Sequence, residues 1–144
     1  MATTKQSEKV RFGPVSAIGP AGDLKVASVK YTMHASPTTN DVIQMITVPA
    51  GSVVTDVLLV TEDLDSGTSL SLHVGYGGND DYWIASETTV GQSAGLKRAD
   101  AATALPLAFT SEDTIDVKIA AAPATATTND LALTVHYYMD PKGV

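Results

Sequence analysis

Several stretches of this chain alternate apolar and polar residues, and this alternation constrains the fold more than any other feature of the sequence. In residues 130–139, for example, Leu131, Leu133 and Val135 lie on one phase, whereas Thr134 and His136 lie on the other. Residues 68–76 and 114–120 show the same pattern. Because successive side chains of a strand point to opposite faces of the sheet, the pattern predicts β-strands with one buried face.

Further strands are predicted where β-branched and apolar residues cluster between turn signals. The complete set of predicted strands is 25–35, 41–48, 53–62, 68–76, 114–120 and 130–139, with an edge strand at 105–110. Residues 77–81 are interpreted as a loop, and 82–84 as a short strand or an anchor. The Ala-rich residues 92–104 predict a short helix, and the Ala/Thr-rich residues 121–129 predict a loose hairpin tip.

Six to eight short strands with at most one short helix indicate an all-β fold, and we expect an antiparallel, jelly-roll-like β-sandwich. We expect this domain to span residues 26–144. Residues 1–25 begin polar and are then interrupted by Gly13-Pro14, Gly19-Pro20 and Gly22-Asp23. Such turn-forming pairs disfavour a core element, so this segment predicts either an extended N-terminal arm or a frayed terminus.

Composition narrows the classes of function. The chain of 144 residues has no cysteine, which removes disulfides, thiolate metal sites and thiol nucleophiles. Its net charge of -7 disfavours binding to nucleic acid and to anionic membranes. The N-terminus lacks the apolar core of a signal peptide, so we expect synthesis and assembly in a cytoplasm.

The sequence contains no convincing catalytic constellation, and we predict a non-enzymatic protein without a cofactor. The three histidines, at positions 34, 73 and 136, lie on the polar phases of their strands and are expected to face solvent. The sequence leaves open whether a structural calcium ion binds at either of two oxygen-rich turns. One turn contains Asp63 and Asp65, and the other contains Asp80 and Asp81.

Three aromatic residues close together in the sequence, Tyr76, Tyr82 and Trp83, allow three interpretations. They predict either a sugar-stacking platform, a plug between the two sheets, or an anchor at a subunit contact, and we favour the plug or the contact.

The two blocks Gly51–Val60 and Asp65–Gly75 carry a resemblance to a known class of proteins. Together they read G-x-x-V-x-D-V, followed by D-x-G-T-S-L-x-L-x-V-G and an acidic loop with an aromatic residue. This pattern resembles small structural proteins of tailed-bacteriophage virions. Residues 108–117 and the last strand, 131–138, are also similar, so the resemblance covers roughly residues 45–140.

The resemblance implies a structural component of the virion, and we predict a capsid decoration (cement) protein on the outer capsid surface. The expected partners are the major capsid protein and further copies of the chain, most simply in a homotrimer. Alternatives are another virion component, such as a head fibre, tail or baseplate module, or a carbohydrate-binding module. The predicted capsid or subunit contacts are Lys5, Arg11, Phe12, Pro14, Ile18, Tyr82 and Trp83.

Overall fold

The computed structural model describes residues 2–6 and 23–140 of the chain. In chain order its elements are β1 (Thr4–Gln6), β2 (Lys25–Thr32), β3 (Val42–Val48), β4 (Ser52–Thr61), β5 (Ser71–Tyr76), β6 (Asn79–Glu87), α1 (Val90–Ser93), β7 (Gly95–Arg98), β8 (Leu107–Ala108), β9 (Asp113–Ala121) and β10 (Asp130–Met139). The predicted all-β sandwich with one short helix is therefore confirmed.

The strands form two sheets. Sheet A has the order β1-β3-β9-β5-β6, and sheet B has the order β2-β10-β4-β7, with β8 also paired to β4. All pairings are antiparallel except that of β1, which runs parallel to β3. Strands that are distant in sequence are neighbours in each sheet, because β9 lies between β3 and β5 and β10 lies between β2 and β4.

The alternating phases of the sequence set the two faces of each sheet. The inward phase of β10, for example, contributes Leu131, Leu133 and Val135, all of which are almost completely buried. The same phase in β9 contributes Ile115, Val117 and Ile119. These side chains meet in one continuous core between the sheets, which removes from water the apolar surface that drives folding.

Two local predictions are wrong. The short helix expected at 92–104 is replaced by a single turn at Val90–Ser93 and by strand β7 at Gly95–Arg98. Ala94 and Gly95 have φ of 69° and 151°, which a continuing right-handed helix does not permit. The loop expected at 77–81 is shorter than predicted, because β6 begins at Asn79 and continues past the aromatic pair to Glu87. β6 pairs with β5 across the two-residue turn at 77–78, and this hairpin extends the strand over residues whose polar character alone indicated a loop.

One end of the sandwich, which we call the Gly51 end, is formed by the turn at 49–51, the turn at 77–78, the loop at 109–112 and the end of β10. Backbone hydrogen bonds join these parts: Gly51 donates to Phe109 O at 2.8 Å, and Asp140 donates to Gly51 O at 2.8 Å. Gly51 has φ of 87°, which favours glycine at this turn. No helix among the described residues is long and apolar enough to cross a membrane.

Candidate interaction surface

The carboxylate of Asp65 is buried and accepts five backbone N–H groups. Its donors are Gly67, Ser69, Leu70, Ala124 and Thr125, at distances between 2.8 and 3.1 Å. Burial by itself raises the pKa of Asp65, but these donors outweigh it and hold the pKa well below its usual range. Because N–H groups already occupy both oxygens, this carboxylate joins two loops and is not available as a calcium ligand.

Two further buried carboxylates have similar structural roles. Asp41 accepts the N–H groups of Thr3 and Thr38 at 2.9 and 2.8 Å, and thereby ties the residue before β1 to the loop before β3. Glu87 accepts the N–H groups of Thr89 and Val90 at the start of α1, at 2.5 and 2.9 Å. In both, these donors lower the pKa against the opposing effect of burial. These acidic groups stabilise loops.

The histidines are half-buried and lie apart, so the expectation that they face solvent is only partly met. His34 contacts Asp41 at 3.2 Å, and His73 Nδ1 accepts the N–H of Ser86 at 2.9 Å. Among residues 2–6 and 23–140, no three His, Asp or Glu side chains are grouped in a way that could hold a metal ion. At the second candidate calcium turn, Asp80 forms an ion pair with Lys118 at 2.5 Å.

The aromatic residues form a cluster that closes the core near the Gly51 end. Trp83 is only 1% exposed, and its ring lies 5.0 Å from Tyr82, 6.0 Å from Tyr76 and 6.5 Å from Phe109. Tyr76 meets both Tyr82 and Phe109 edge-on. Tyr82 meets the buried indole edge-on and Phe109 stacks against it, so the ring of Trp83 offers no exposed platform for a sugar and serves as the inter-sheet plug.

The structure separates the residues predicted as contacts. Lys5 lies on β1, where it pairs with Ile43 of β3, and is half-buried. Tyr82 is also half-buried, and its hydroxyl donates to Leu105 O at 3.3 Å. Trp83 is enclosed by its own chain and presents no surface to a partner. The remaining four, Arg11, Phe12, Pro14 and Ile18, lie outside the described residues.

The described strands fix where the segment 7–22 leaves the sandwich and where it returns. Because β1 is parallel to β3, with Gln6 opposite Gln44, the chain leaves β1 toward the Gly51 end. It returns at the same end, because Lys25 at the start of β2 pairs with Tyr137 near the end of β10. Sequence reasoning expected an extended N-terminal arm or a frayed terminus over residues 1–25 and missed β1, whose three residues carry no recognisable strand pattern.

Charge is distributed unevenly along the chain, and the net charge of the whole chain does not show this. The first 25 residues contain four of the nine basic residues but only two of the sixteen acidic ones. The segment 7–22 and the residues on either side of it therefore carry a net positive charge, whereas the rest of the chain is strongly acidic. Leu24, next to this segment, is 63% exposed.

The fold has counterparts among solved structures. A chain in the capsid of Ralstonia phage GP4 matches with a TM-score of 0.80 and 28% identity, over 94% of this chain and 97% of that one. A chain in the capsid asymmetric unit of cyanophage Pam1 matches with a TM-score of 0.71 and 25% identity, over 87% and 91%. A chain in the acid-stable capsid of Helicobacter pylori bacteriophage KHP30 shares the fold, with a TM-score of 0.62 and 15% identity over 83% and 90%.

No protein-family model and no curated protein matches the sequence. The comparison therefore rests on the capsid chains. Those of Ralstonia phage GP4 and cyanophage Pam1 are similar to this chain in both fold and sequence. Each of these two matches covers most of both chains. Together with the two-sheet sandwich, these matches identify the chain as a capsid-associated structural protein of the bacteriophage virion.

Proposed function

We propose that this chain is a capsid decoration (cement) protein, which binds the outer surface of the phage head and stabilises it through contacts with the major capsid protein and with neighbouring copies. The observation that carries the proposal is the nearly end-to-end similarity to small chains of two capsids. A shell-associated chain that consists of one small sandwich is suited to bracing a lattice formed by other subunits.

The structure supports a non-enzymatic role. The buried carboxylates Asp41, Asp65 and Glu87 are engaged with backbone N–H groups of their own chain, and the Oδ1 atom of Asp116, which has no hydrogen-bond partner among the described residues, is enclosed and does not reach the surface. Catalytic carboxylates, in contrast, need a free oxygen that reaches substrate. Partner binding is therefore the function that the described residues support best.

We infer that the shell is bound at the Gly51 end, through the segment between β1 and β2. The ends of this segment are held by β1 on one side and β2 on the other, so both of its attachments lie in the sandwich. Anchoring at two points lowers the entropy lost when such a segment binds a partner. Arg11, Phe12, Pro14 and Ile18 of this segment remain the proposed contacts, together with the exposed Leu24.

The basic character of the first 25 residues implies an electrostatic contribution to docking. In an acidic chain, a basic attachment region orients the molecule on an acidic partner surface and raises the association rate. Binding to heads is therefore expected to weaken as the salt concentration rises, because exposed charges are screened.

The test is co-sedimentation of the purified chain with heads that lack it. We expect saturable binding at a fixed copy number per capsomer, with a solution mass that shows whether the chain is the proposed trimer. Truncation of residues 1–22 is expected to abolish binding, whereas truncation of residues 1–6 removes β1 but keeps the segment and retains part of the binding. Circular dichroism establishes that both truncated chains are folded.

A matched pair of substitutions localises the contact further. Phe12→Ala lies in the proposed docking segment, whereas Leu96→Ala removes an exposed apolar side chain (58% exposed) opposite Val60, near the other end of β4. Weaker head binding for the first variant alone supports the assignment. Equal binding by the chain that lacks residues 1–22 shows that the segment is not the anchor, and absence of saturable binding to heads excludes the decoration role.

A further inference from the structure

The outer faces of the two sheets differ in character. The large apolar side chains that the described strands leave exposed are Val26, Val60 and Leu96, and all three lie in sheet B. Sheet A has none on its described strands. We call the outer surface of sheet B face B, and it consists of Val26, Ser28 and Lys30 of β2, Asp130, Ala132, Thr134 and His136 of β10, Asp56, Leu58 and Val60 of β4, and Leu96 and Arg98 of β7.

Strand register places the apolar residues side by side. Ala132 pairs with Val60, and Val60 pairs with Leu96, so these three form one row across β10, β4 and β7. Leu58 extends this patch into the neighbouring row, where it lies beside Thr134. Val60 and Leu96 are 41% and 58% exposed. A contiguous apolar patch on a small soluble chain marks an interaction surface more often than isolated exposed residues do.

The charged groups of face B are satisfied within the face. Lys30 Nζ contacts Asp130 Oδ2 at 2.7 Å, and Arg98 Nε donates to Asp56 Oδ2 at 2.7 Å. At the border of the face, Glu62 Oε2 accepts the N–H of Asp130 at 2.8 Å. The two cations therefore nearly balance the three carboxylates, although the whole chain has a net charge of -7.

This balance of charge indicates which partner binds face B. Two copies of an acidic chain repel each other wherever their net charge is exposed, and a nearly neutral apolar face is where they meet at the lowest electrostatic cost. From the apolar row and the paired charges, we propose that face B is the surface through which copies of this chain contact one another. This deepens the proposed function and rests on it for the setting, a shell that holds many copies close together.

The area of face B determines how strongly two copies are expected to associate. Face B spans about five residues in each of β2, β10 and β4 and about three in β7, so strands spaced about 4.8 Å apart give roughly 300 Å² per copy, which is less than the ~800 Å² of a standard stable interface. Association in solution is therefore expected to be weak and concentration-dependent. On a capsid lattice, the high local concentration of tethered copies favours the same contact.

The test is sedimentation equilibrium of the full chain from micromolar to millimolar concentration, with a matched pair of variants. Leu96→Glu places a carboxylate in the apolar row, whereas Leu105→Glu makes the same change at a similarly exposed leucine outside face B. We expect reversible self-association of the unmodified chain and of Leu105→Glu, and association at least about tenfold weaker for Leu96→Glu. Val60→Glu, in the same row, is expected to act like Leu96→Glu.

Each result separates this inference from the proposed function. A chain that stays monomeric up to millimolar concentration, or Leu96→Glu and Val60→Glu variants that associate as the unmodified chain does, overturns the role of face B. Binding of isolated copies to heads is measured separately by co-sedimentation at low concentration, and loss of face B contacts leaves it largely unchanged. Failure of head binding with intact self-association overturns the decoration role instead.

Discussion

The carboxylate of Asp65 accepts the backbone N–H of Thr125 at 2.8 Å, and this bond joins two loops that are 60 positions apart in the sequence. The same carboxylate also accepts N–H groups from its own loop, including that of Leu70 at 2.9 Å. One side chain therefore determines how the connection between β4 and β5 packs against the connection between β9 and β10, which crosses from one sheet to the other rather than forming the expected hairpin.

Removing this carboxylate is expected to destabilise the fold strongly. Asp65→Ala leaves several buried N–H groups without an acceptor, which we expect to lower the free energy of unfolding by roughly 3–5 kcal/mol. Urea denaturation followed by circular dichroism measures the change. Asp23→Ala, at an exposed position, serves as the control and is expected to change stability by less than about 0.5 kcal/mol. Equal stability of the two variants contradicts the role of Asp65.

Asp116 is expected to make stability fall as the pH rises from about 4 to about 7. Burial raises its pKa from 3.8 to about 7, and its Oδ1 has no hydrogen-bond partner among the described residues. The folded state therefore binds a proton that the unfolded state releases in this range, so unfolding becomes easier with each step toward neutral pH. Above about pH 7 the group is ionised in both states, and its contribution no longer changes.

Asp116→Asn tests this dependence. The variant is expected to be more stable than the unmodified chain at pH 8, by about 1–3 kcal/mol, and to lose the slope between pH 4 and 7. Denaturation at several pH values measures both. Asp65 and Asp41 act in the opposite sense, because their lowered pKa values make their contribution disappear only as the pH falls below about 4. An unchanged slope in Asp116→Asn contradicts the assignment.

Two glycines of the β5–β6 hairpin are expected to respond very differently to alanine. A Cβ at Gly75 would lie 2.1 Å from Asn79 O, a backbone atom that cannot move without breaking the hairpin. At Gly77 the nearest atom is Asp113 Oδ2 at 3.3 Å, at the end of a side chain that can turn away. We expect Gly75→Ala to lower stability by more than about 3 kcal/mol and Gly77→Ala by less than about 1 kcal/mol. Thermal unfolding compares them.

Trp83 is the single tryptophan of the chain, so its fluorescence reports on the core directly. Because the ring is buried, we expect emission at short wavelength and little quenching by iodide, and binding to heads is expected to change neither. Trp83→Ala is expected to cost about 3–5 kcal/mol of stability, because it leaves a large cavity. Strong quenching in the free chain would contradict its position as the inter-sheet plug.

Strands were predicted correctly where the local pattern of apolar and polar residues matches the burial of the side chains in the fold. Strands β3, β4, β9 and β10 lie within a residue or two of the predicted stretches. Alternation predicted β9 and β10, because it is the direct signature of a sheet with one buried face, whereas runs of apolar and β-branched residues predicted β3 and β4. Sequence reasoning failed at β1 and β7, which are short and gain their stability from pairing with β3 and β4. The helix expected at 92–104 failed for the same reason, since alanine content describes a propensity that tertiary pairing overrides.

For the candidate surfaces, too, the sequence and the tertiary structure determined different properties. The sequence by itself determined an all-β chain without cysteine chemistry, with a breaker-rich N-terminal stretch and with a resemblance to virion proteins, because these properties depend on composition and short-range pattern. Only the tertiary structure decided that Trp83 is enclosed, that the segment 7–22 leaves and returns at the Gly51 end, and that Ala132, Val60 and Leu96 form one row. Those facts depend on which distant strands pair and in which register, and pairing is set by the packing of the whole core rather than by any local stretch.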